Sequence, residues 1–199
     1  VGNQPVRDAY SAMSEQYIAL IKGGQADVDD TALVRDHLAG LDGRVLDLGC
    51  GPGHWSAYLH SCGADVIGID LVPEFIHHAR TNFPGPEFRL GSMTGLDLPD
   101  HSVAGILSWY STIHLPPPEL DGVLTEFRRM LAPSGKLVIG FFDSADVVAA
   151  FDHKVHRAYR WPVDEFSARL EKAGFTELQR SRKQLPDRPD RMYAAIAAT

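Results

Sequence analysis

Residues Val45–Trp55 read VLDLGCGPGHW. A short apolar run with an acid inside it, Asp47, passes straight into three glycines at alternate positions, Gly49, Gly51 and Gly53. Glycine has no Cβ and tolerates left-handed dihedrals, so a strand–loop–helix of this kind lets backbone approach a ligand closely. The helix that follows offers free N–H groups and the positive end of its dipole to an anionic group. Asp47 adds the opposite sign. Together they suit a ligand that carries both a carboxylate and an ammonium.

Outward from this stretch, strands and helices alternate. Residues 44–49 form a strand, 54–62 a helix closed by Gly63, and 65–70 a second strand ending on Asp70. A helix over 73–82 has proline in its first turn, as helix starts favour. EFRLGS at 87–92 is a third strand, and VAGILSW at 103–109 a fourth, apolar enough to be buried on both faces. A helix over 118–131, a PSG turn and the strand KLVIGFF at 136–142 complete a repeating βαβ pattern, which argues for a doubly wound parallel sheet. The end differs: a helix over 162–173 stops at Gly174, and FTELQRS and RMYAAIAA read as an antiparallel hairpin around the turn QLPDRPD. Before the first strand, Ala9, Met13, Tyr17 and Leu20 recur at helical spacing until Gly23-Gly24, and a second helix spans 29–38.

The glycines do not spell the dinucleotide fingerprint G-x-G-x-x-G. Its third glycine falls on His54 when read from Gly49 and on Ser56 when read from Gly51, and the fingerprint has no use for Asp47. The segment instead resembles the first motif of the class I S-adenosylmethionine-dependent methyltransferases, hh-D/E-h-G-x-G-x-G, with Asp47, Gly49, Gly51 and Gly53 all in place. The resemblance extends over nearly all the chain beyond residue 40, in the manner of the methyltransferase type 11 group that acts mostly on small molecules. It implies one α/β domain: a Rossmann-like doubly wound seven-stranded sheet with an antiparallel C-terminal strand and N-terminal helices. Residues 1–40 would be a helical lid, 41–142 the cofactor-binding core, 143–162 an acceptor-pocket insertion and 163–199 the C-terminal helix and hairpin.

The resemblance also implies a site. S-adenosylmethionine would be the cofactor and S-adenosylhomocysteine the product, held by Asp47, Gly49, Cys50, Gly51, His54 and Trp55 of the first motif. Asp70, roughly 20 residues past the glycines, would take the ribose hydroxyls. Leu71 would pack on the adenine, and Ser92 and Met93 would meet its edge; Ser92 stands where the family often has an aspartate. Ser108 and Trp109 lie at the carboxyl end of the fourth strand, where open α/β sheets bind ligands. Tyr10 and Tyr17, two helical turns apart, match the Y-x(6)-Y lid, with core packing as the alternative. His114 is the candidate general base, since imidazole titrates near neutrality; the alternative is a loop hydrogen bond.

Residues 153–161 gather His153, Lys154, His156, Arg157, Tyr159, Arg160 and Trp161. They read chiefly as a solvated amphipathic helix, or else as part of an acceptor pocket suited to a carboxylate or phosphate. His153-x-x-His156 lacks the further ligands of a metal site, so none is expected.

Composition narrows the classes. The 199-residue chain carries a net charge of −7, which offers no basic face to nucleic acid. No apolar run approaches a membrane span. Two cysteines, one inside the glycine loop, fit reduced thiols and a cytoplasmic location. The partner expected is a small-molecule methyl acceptor; its identity and the oligomeric state are not encoded legibly. The alternatives are an NAD(P)-dependent oxidoreductase and a non-catalytic S-adenosylmethionine-binding protein on the same fold.

Overall fold

The computed structural model describes residues 4–23, 27–184 and 191–199. Its elements are α1 (Gln4–Ala12), α2 (Ser14–Gly23), α3 (Val28–Leu38), β1 (Arg44–Leu48), α4 (His54–Ser61), β2 (Asp65–Asp70), α5 (Pro73–Asn82), β3 (Glu87–Leu90), β4 (Val103–Trp109), α6 (Pro117–Met130), β5 (Leu131–Asp143), β6 (Ala149–Asp152), β7 (Arg157–Trp161), α7 (Val163–Lys172), β8 (Glu177–Gln184) and β9 (Met192–Ala198). Gly24 and the turn at 185–190 lie outside the described residues.

The parallel strands run in the order β3-β2-β1-β4-β5. The order reverses between β1 and β4, and there the carboxyl ends of the strands leave a crevice. β9 runs antiparallel along β5 from Leu137 to Asp143, and β8 pairs antiparallel outside β9. These seven strands are the core expected from the sequence.

Side chains alternate between two buried faces. On β4 and β5, Ile106, Leu137 and Ile139 pack with Phe127 of α6 and Phe166 of α7. Leu107 and Val138 point the other way, to Leu33, Val34 and Leu38 of α3 and Trp55 and Leu59 of α4. Burial on both sides is why these strands read as continuous apolar runs rather than alternating ones. Asp27 caps α3 by accepting from the N–H groups of Asp29 and Asp30, a favoured start.

Three expectations change. The first helix divides at Met13, whose N–H donates to Tyr10 O at 3.2 Å, giving α1 and α2. The sheet has nine strands among the described residues, not seven. The two additional ones are β6 and β7, an antiparallel hairpin where an amphipathic helix was expected. The reason is tertiary: β6 alternates in exposure, with Phe151 packing edge-on against Phe142 at 5.3 Å, while Ala158 and Trp161 are buried on opposite faces of β7. Arg160 lies over the Phe151 ring at 4.3 Å, so one of the basic residues covers the hairpin itself.

β7 pairs with β5 at Phe142 and Asp143. β9 already holds one edge of β5 at those residues. β7 therefore continues the other edge, which β4 leaves at Trp109–Gly140. The hairpin is rooted in the sheet directly beyond the end of β4. It is tied there by the Tyr159 N–H, which donates to Ile113 O at 2.8 Å.

Candidate functional site

After β1 the chain turns through Gly49 (φ 76°), Gly51 (φ 53°) and Gly53 (φ 94°) into α4. The N–H groups of Gly49 and Cys50 both donate to Ile69 O, at 2.8 and 3.1 Å, which pins the loop to the end of β2. At Gly49 an added Cβ would stand 2.3 Å from Ser111 Cβ; at Gly51 it would meet only Tyr17 Cε1, at 3.8 Å. The first glycine is thus required by close approach of the β4–α6 loop, and the second keeps a wall open toward α2.

Two acids flank the loop. Asp47 is buried and accepts from Ser56 Oγ at 2.6 Å, with the Ser56 N–H adding a second hydrogen bond. It holds the first turn of α4 from beneath. Burial pushes its carboxyl up to about 7, against the Ser56 hydrogen bonds and with help from the Asp70 charge. Asp70 closes β2; its Oδ2 accepts from the Gly51 N–H at 2.9 Å and its Oδ1 from the Val72 N–H at 2.8 Å. Burial raises it to about 6, while the backbone N–H groups of Val72, Gly51 and Leu71 act to lower it.

Tyr10, Tyr17, Gly49, Gly51, Asp70, Leu71, Met93, Trp109 and His114 converge on one cavity of about 70 Å³. Asp47, Cys50, Ser92 and Ser108 are not among its lining residues. The Cys50 side chain packs with Ile76, Ala79 and Phe88 on the far side of the loop. Ser108 Oγ is fully buried and bonds Ser111 Oγ at 2.8 Å. His54 and Trp55 line a separate, larger cavity.

Sequence reasoning missed Tyr110 and Ser111, which line the small cavity beside Trp109. Strand alternation would send Tyr110 away from Trp109. Tyr110 instead has φ 53°, a left-handed conformation uncommon for a bulky residue and frequent at ligand sites. No feature of the local sequence signals that turn.

Helices α1 and α2 rest on this cavity. Tyr10 and Tyr17 pack edge to face at 5.5 Å, and both contact Phe75. The Tyr10 hydroxyl donates to His114 Nε2 at 3.1 Å, and His114 Nδ1 faces Arg157 O at 2.8 Å and must donate to it. His114 is thereby fixed as the Nδ1–H tautomer, with its Nε2 lone pair toward the cavity. Burial lowers its pKa, the Arg157 carbonyl opposes that, and His156 adds to it, so the ring is neutral at neutral pH. His153 and His156 stand beside it, at ring separations of 5.5 and 6.0 Å. His156, Arg157 and Tyr159 wall a neighbouring cavity of about 160 Å³ with His114. Among the described residues no group of three His, Cys, Asp or Glu is arranged to hold a metal ion, and no helix is long and apolar enough to cross a membrane.

These groups act on the pH dependence of stability in opposite senses. Asp47 and Asp70 sit above their ordinary value of 3.8, so their contribution is full below that pH and is lost as pH rises through about 6 and about 7. His54 and His153, both lowered by burial to about 4, act oppositely: their contribution is present above 6.5 and lost as pH falls through about 4. The two pairs offset each other between about pH 4 and 6, so thermal melts should be nearly level there, reach a shallow maximum near pH 6.5 and fall beyond it as Asp47 alone loses its proton. Asp47→Asn should flatten the fall between pH 6.5 and 8, and an unchanged alkaline limb would refute the assignment.

Residues 45–135 match the family described as "Methyltransferase domain". The chain is 34% identical over 96 residues to malonyl-[acyl-carrier protein] O-methyltransferase of Yersinia pestis, covering 46% of this chain and 33% of that protein. It is 34% identical over 155 residues to arsenite methyltransferase of Halobacterium salinarum, covering 68% and 38%. It thus spans about a third to two-fifths of the length of these curated relatives. Among solved structures, 1,6-didemethyltoxoflavin-N1-methyltransferase of Burkholderia thailandensis, with S-adenosylhomocysteine bound, superposes with TM-score 0.82 at 22% identity, over 98% of this chain and 86% of that one. Magnesium protoporphyrin IX methyltransferase of Synechocystis superposes with TM-score 0.75 at 19% identity, over 100% and 96%. Residues 45–135 are thus similar to the methyltransferase-domain family, and the chain has the fold of S-adenosylmethionine-dependent methyltransferases.

Proposed function

We propose that this chain transfers a methyl group from S-adenosylmethionine to a small-molecule acceptor, with S-adenosylhomocysteine as product. The observation that carries the reading is the left-handed glycine loop facing Asp70 at the switch point of the sheet. The residues fit the cofactor in kind. Asp70 is a carboxylate at the height of a ribose, Leu71 and Met93 are apolar walls for an adenine, and Tyr17 and Trp109 close the side toward the glycines. The space is tight, about 70 Å³ against the roughly 300–1,000 Å³ of a working ligand site, and it abuts the cavity of about 160 Å³ along Leu71, Met93, Ser111 and His114. Outward movement of α1 would widen it for the cofactor. α1 contributes no buried residue, and besides ring contacts its described ties include the Tyr10–His114 bond and Ser11 Oγ donating to Glu74 at 2.8 Å. Such a helix is cheap to lift.

Bound there, the sulfonium of S-adenosylmethionine supplies a methyl carbon already activated toward a lone pair. The chain's task is to align acceptor and methyl carbon and to exclude water. Orientation of this kind is worth roughly 7–11 kcal/mol in favourable cases. His114 Nε2, neutral and turned toward the cavity, accepts the acceptor's proton once Tyr10 has moved off it. With an acceptor that must shed a proton, His114→Ala should lower kcat about 100-fold or more. Affinity for S-adenosylhomocysteine should stay within about threefold of wild type; an equal loss of both would remove the base assignment.

The reading is tested by calorimetric titration with S-adenosylhomocysteine beside NAD and NADP. Micromolar binding of the first alone supports it. Preference for a nicotinamide cofactor overturns it, and tight binding without methylated product from any acceptor leaves a sensor on the same fold. Cys50 and Cys62 are both free thiols, which supports placing the enzyme in the reducing cytoplasm.

A further inference from the structure

A second cavity, of about 830 Å³, lies between α2, α3, α4 and β9. It meets the cofactor cavity at Trp109 and Tyr110, which line both. Its wall is a continuous row of rings: Tyr58 to Trp55 at 5.8 Å, Trp55 to Trp109 at 5.1 Å, Trp109 to Tyr110 at 5.5 Å and Tyr110 to Tyr193 at 6.0 Å. These come from α4, the end of β4 and β9, so the row is made by the fold and not by a local aromatic cluster.

The polar groups of the wall are specific in sign. Lys183 is held between Asp30 and Asp27, the latter at 3.2 Å. Its charge is spent on two carboxylates and is not available to an anionic ligand. His54 lines the cavity with its Nδ1 buried and, among the described residues, without a hydrogen-bond partner. A buried orphan nitrogen in a polar spot awaits a partner. The wall thus offers aromatic faces, an imidazole nitrogen among its neutral hydrogen-bonding groups, and no free cation among the described lining residues.

Resting on the methyltransferase reading above, we infer that this cavity is the acceptor chamber and that it takes a flat aromatic or heteroaromatic molecule, neutral or cationic, and not a carboxylate or phosphate. Aromatic faces attract flat rings and cations through their quadrupole. An anion would meet those negative faces and two aspartates already engaged by the lysine. The Tyr110 turn, which brings Trp109 and Tyr110 to the same junction, is what connects the two cavities.

The experiment is a fluorescence titration of the full chain saturated with S-adenosylhomocysteine. Trp55 and Trp109 report on the chamber. The probes are indole, 4-aminoquinoline and 2-naphthoate: flat neutral, flat cationic and flat anionic. Indole and 4-aminoquinoline should quench saturably, and 2-naphthoate should bind at least about 10-fold more weakly. Tyr58→Leu and Tyr193→Leu remove one ring each at a modest loss of volume; neither residue lines the cofactor cavity, and Tyr193 reaches it only through Tyr110. Each should weaken the two flat probes about fivefold while leaving S-adenosylhomocysteine affinity unchanged, as loss of one ring contact predicts. Equal or tighter binding of 2-naphthoate, or indifference of the probes to both substitutions, overturns the chamber assignment. Failure of S-adenosylhomocysteine itself to bind overturns the methyltransferase reading, and the acceptor role falls with it whatever the probes do.

Discussion

Asp70→Ala should weaken S-adenosylhomocysteine binding by at least about 100-fold. Two losses combine. On the proposed reading the carboxylate at the end of β2 accepts from the ribose hydroxyls, and hydrogen bonds to a charged group are worth about 1.5–3 kcal/mol each. The substitution also strips the N–H groups of Gly51 and Val72 of the oxygens they donate to, at 2.9 and 2.8 Å. A buried N–H left unpaired costs about 1–3 kcal/mol. The glycine loop would then lose the tie that sets its distance from β2. Asp70→Asn separates the two effects: its amide oxygen keeps one backbone partner, so the loop should hold while affinity still falls about 10-fold. Calorimetry on both variants reads this directly. Affinity within fivefold of wild type in Asp70→Ala would remove Asp70 from the site.

Gly49→Ala should be the most damaging small substitution for stability, lowering it by about 2–5 kcal/mol. A Cβ at φ 76° carries about 1–2 kcal/mol of steric cost. It would also sit 2.3 Å from Ser111 Cβ, an atom fixed close to the backbone. Relieving such an overlap typically costs a further 1–3 kcal/mol or so. Ser111 is bonded to Ser108 and starts the loop that carries His114. The displacement therefore reaches the candidate base as well. In melting temperature this is roughly 5–15 °C for a chain of this size. Gly51→Ala is the control: it has the same backbone cost at φ 53° but meets nothing closer than Tyr17 at 3.8 Å. Its melting temperature should drop by about a third as much. Equal losses would mean that the Ser111 contact does not matter.

What the sequence disclosed follows from the range of the forces involved. β2, α5 and β4 are bounded at the residues expected, because apolar runs between glycine, proline and acidic breaks are local signals. The glycines and Asp70 were legible for the same reason. The β6–β7 hairpin was not, since its pairing partner, β5, is fixed by the sheet and the burial of Ala158 and Trp161 on opposite faces of β7 leaves no period of two to read. Alternation along β4 predicted that Trp109 and Tyr110 would face apart, and a single left-handed residue reversed that. The aromatic row was only partly local: Tyr58 and Trp55 sit one turn apart on α4, but Trp55 meets Trp109 only when α4 packs on the sheet, and Tyr110 meets Tyr193 only after β9 has packed against β5.

β7 takes up the edge of β5 where β4 leaves it, so the hairpin is anchored at its root and ends in the short segment His153–His156 above His114. Insertions or exchanges at that tip change what overhangs the base without shifting the register of a core strand or moving the glycine loop. The architecture separates a part under tight geometric constraint from a part that tolerates revision. Lineages descended from such a chain can revise the wall above His114 at the hairpin tip while inheriting the glycine loop and the aromatic chamber intact.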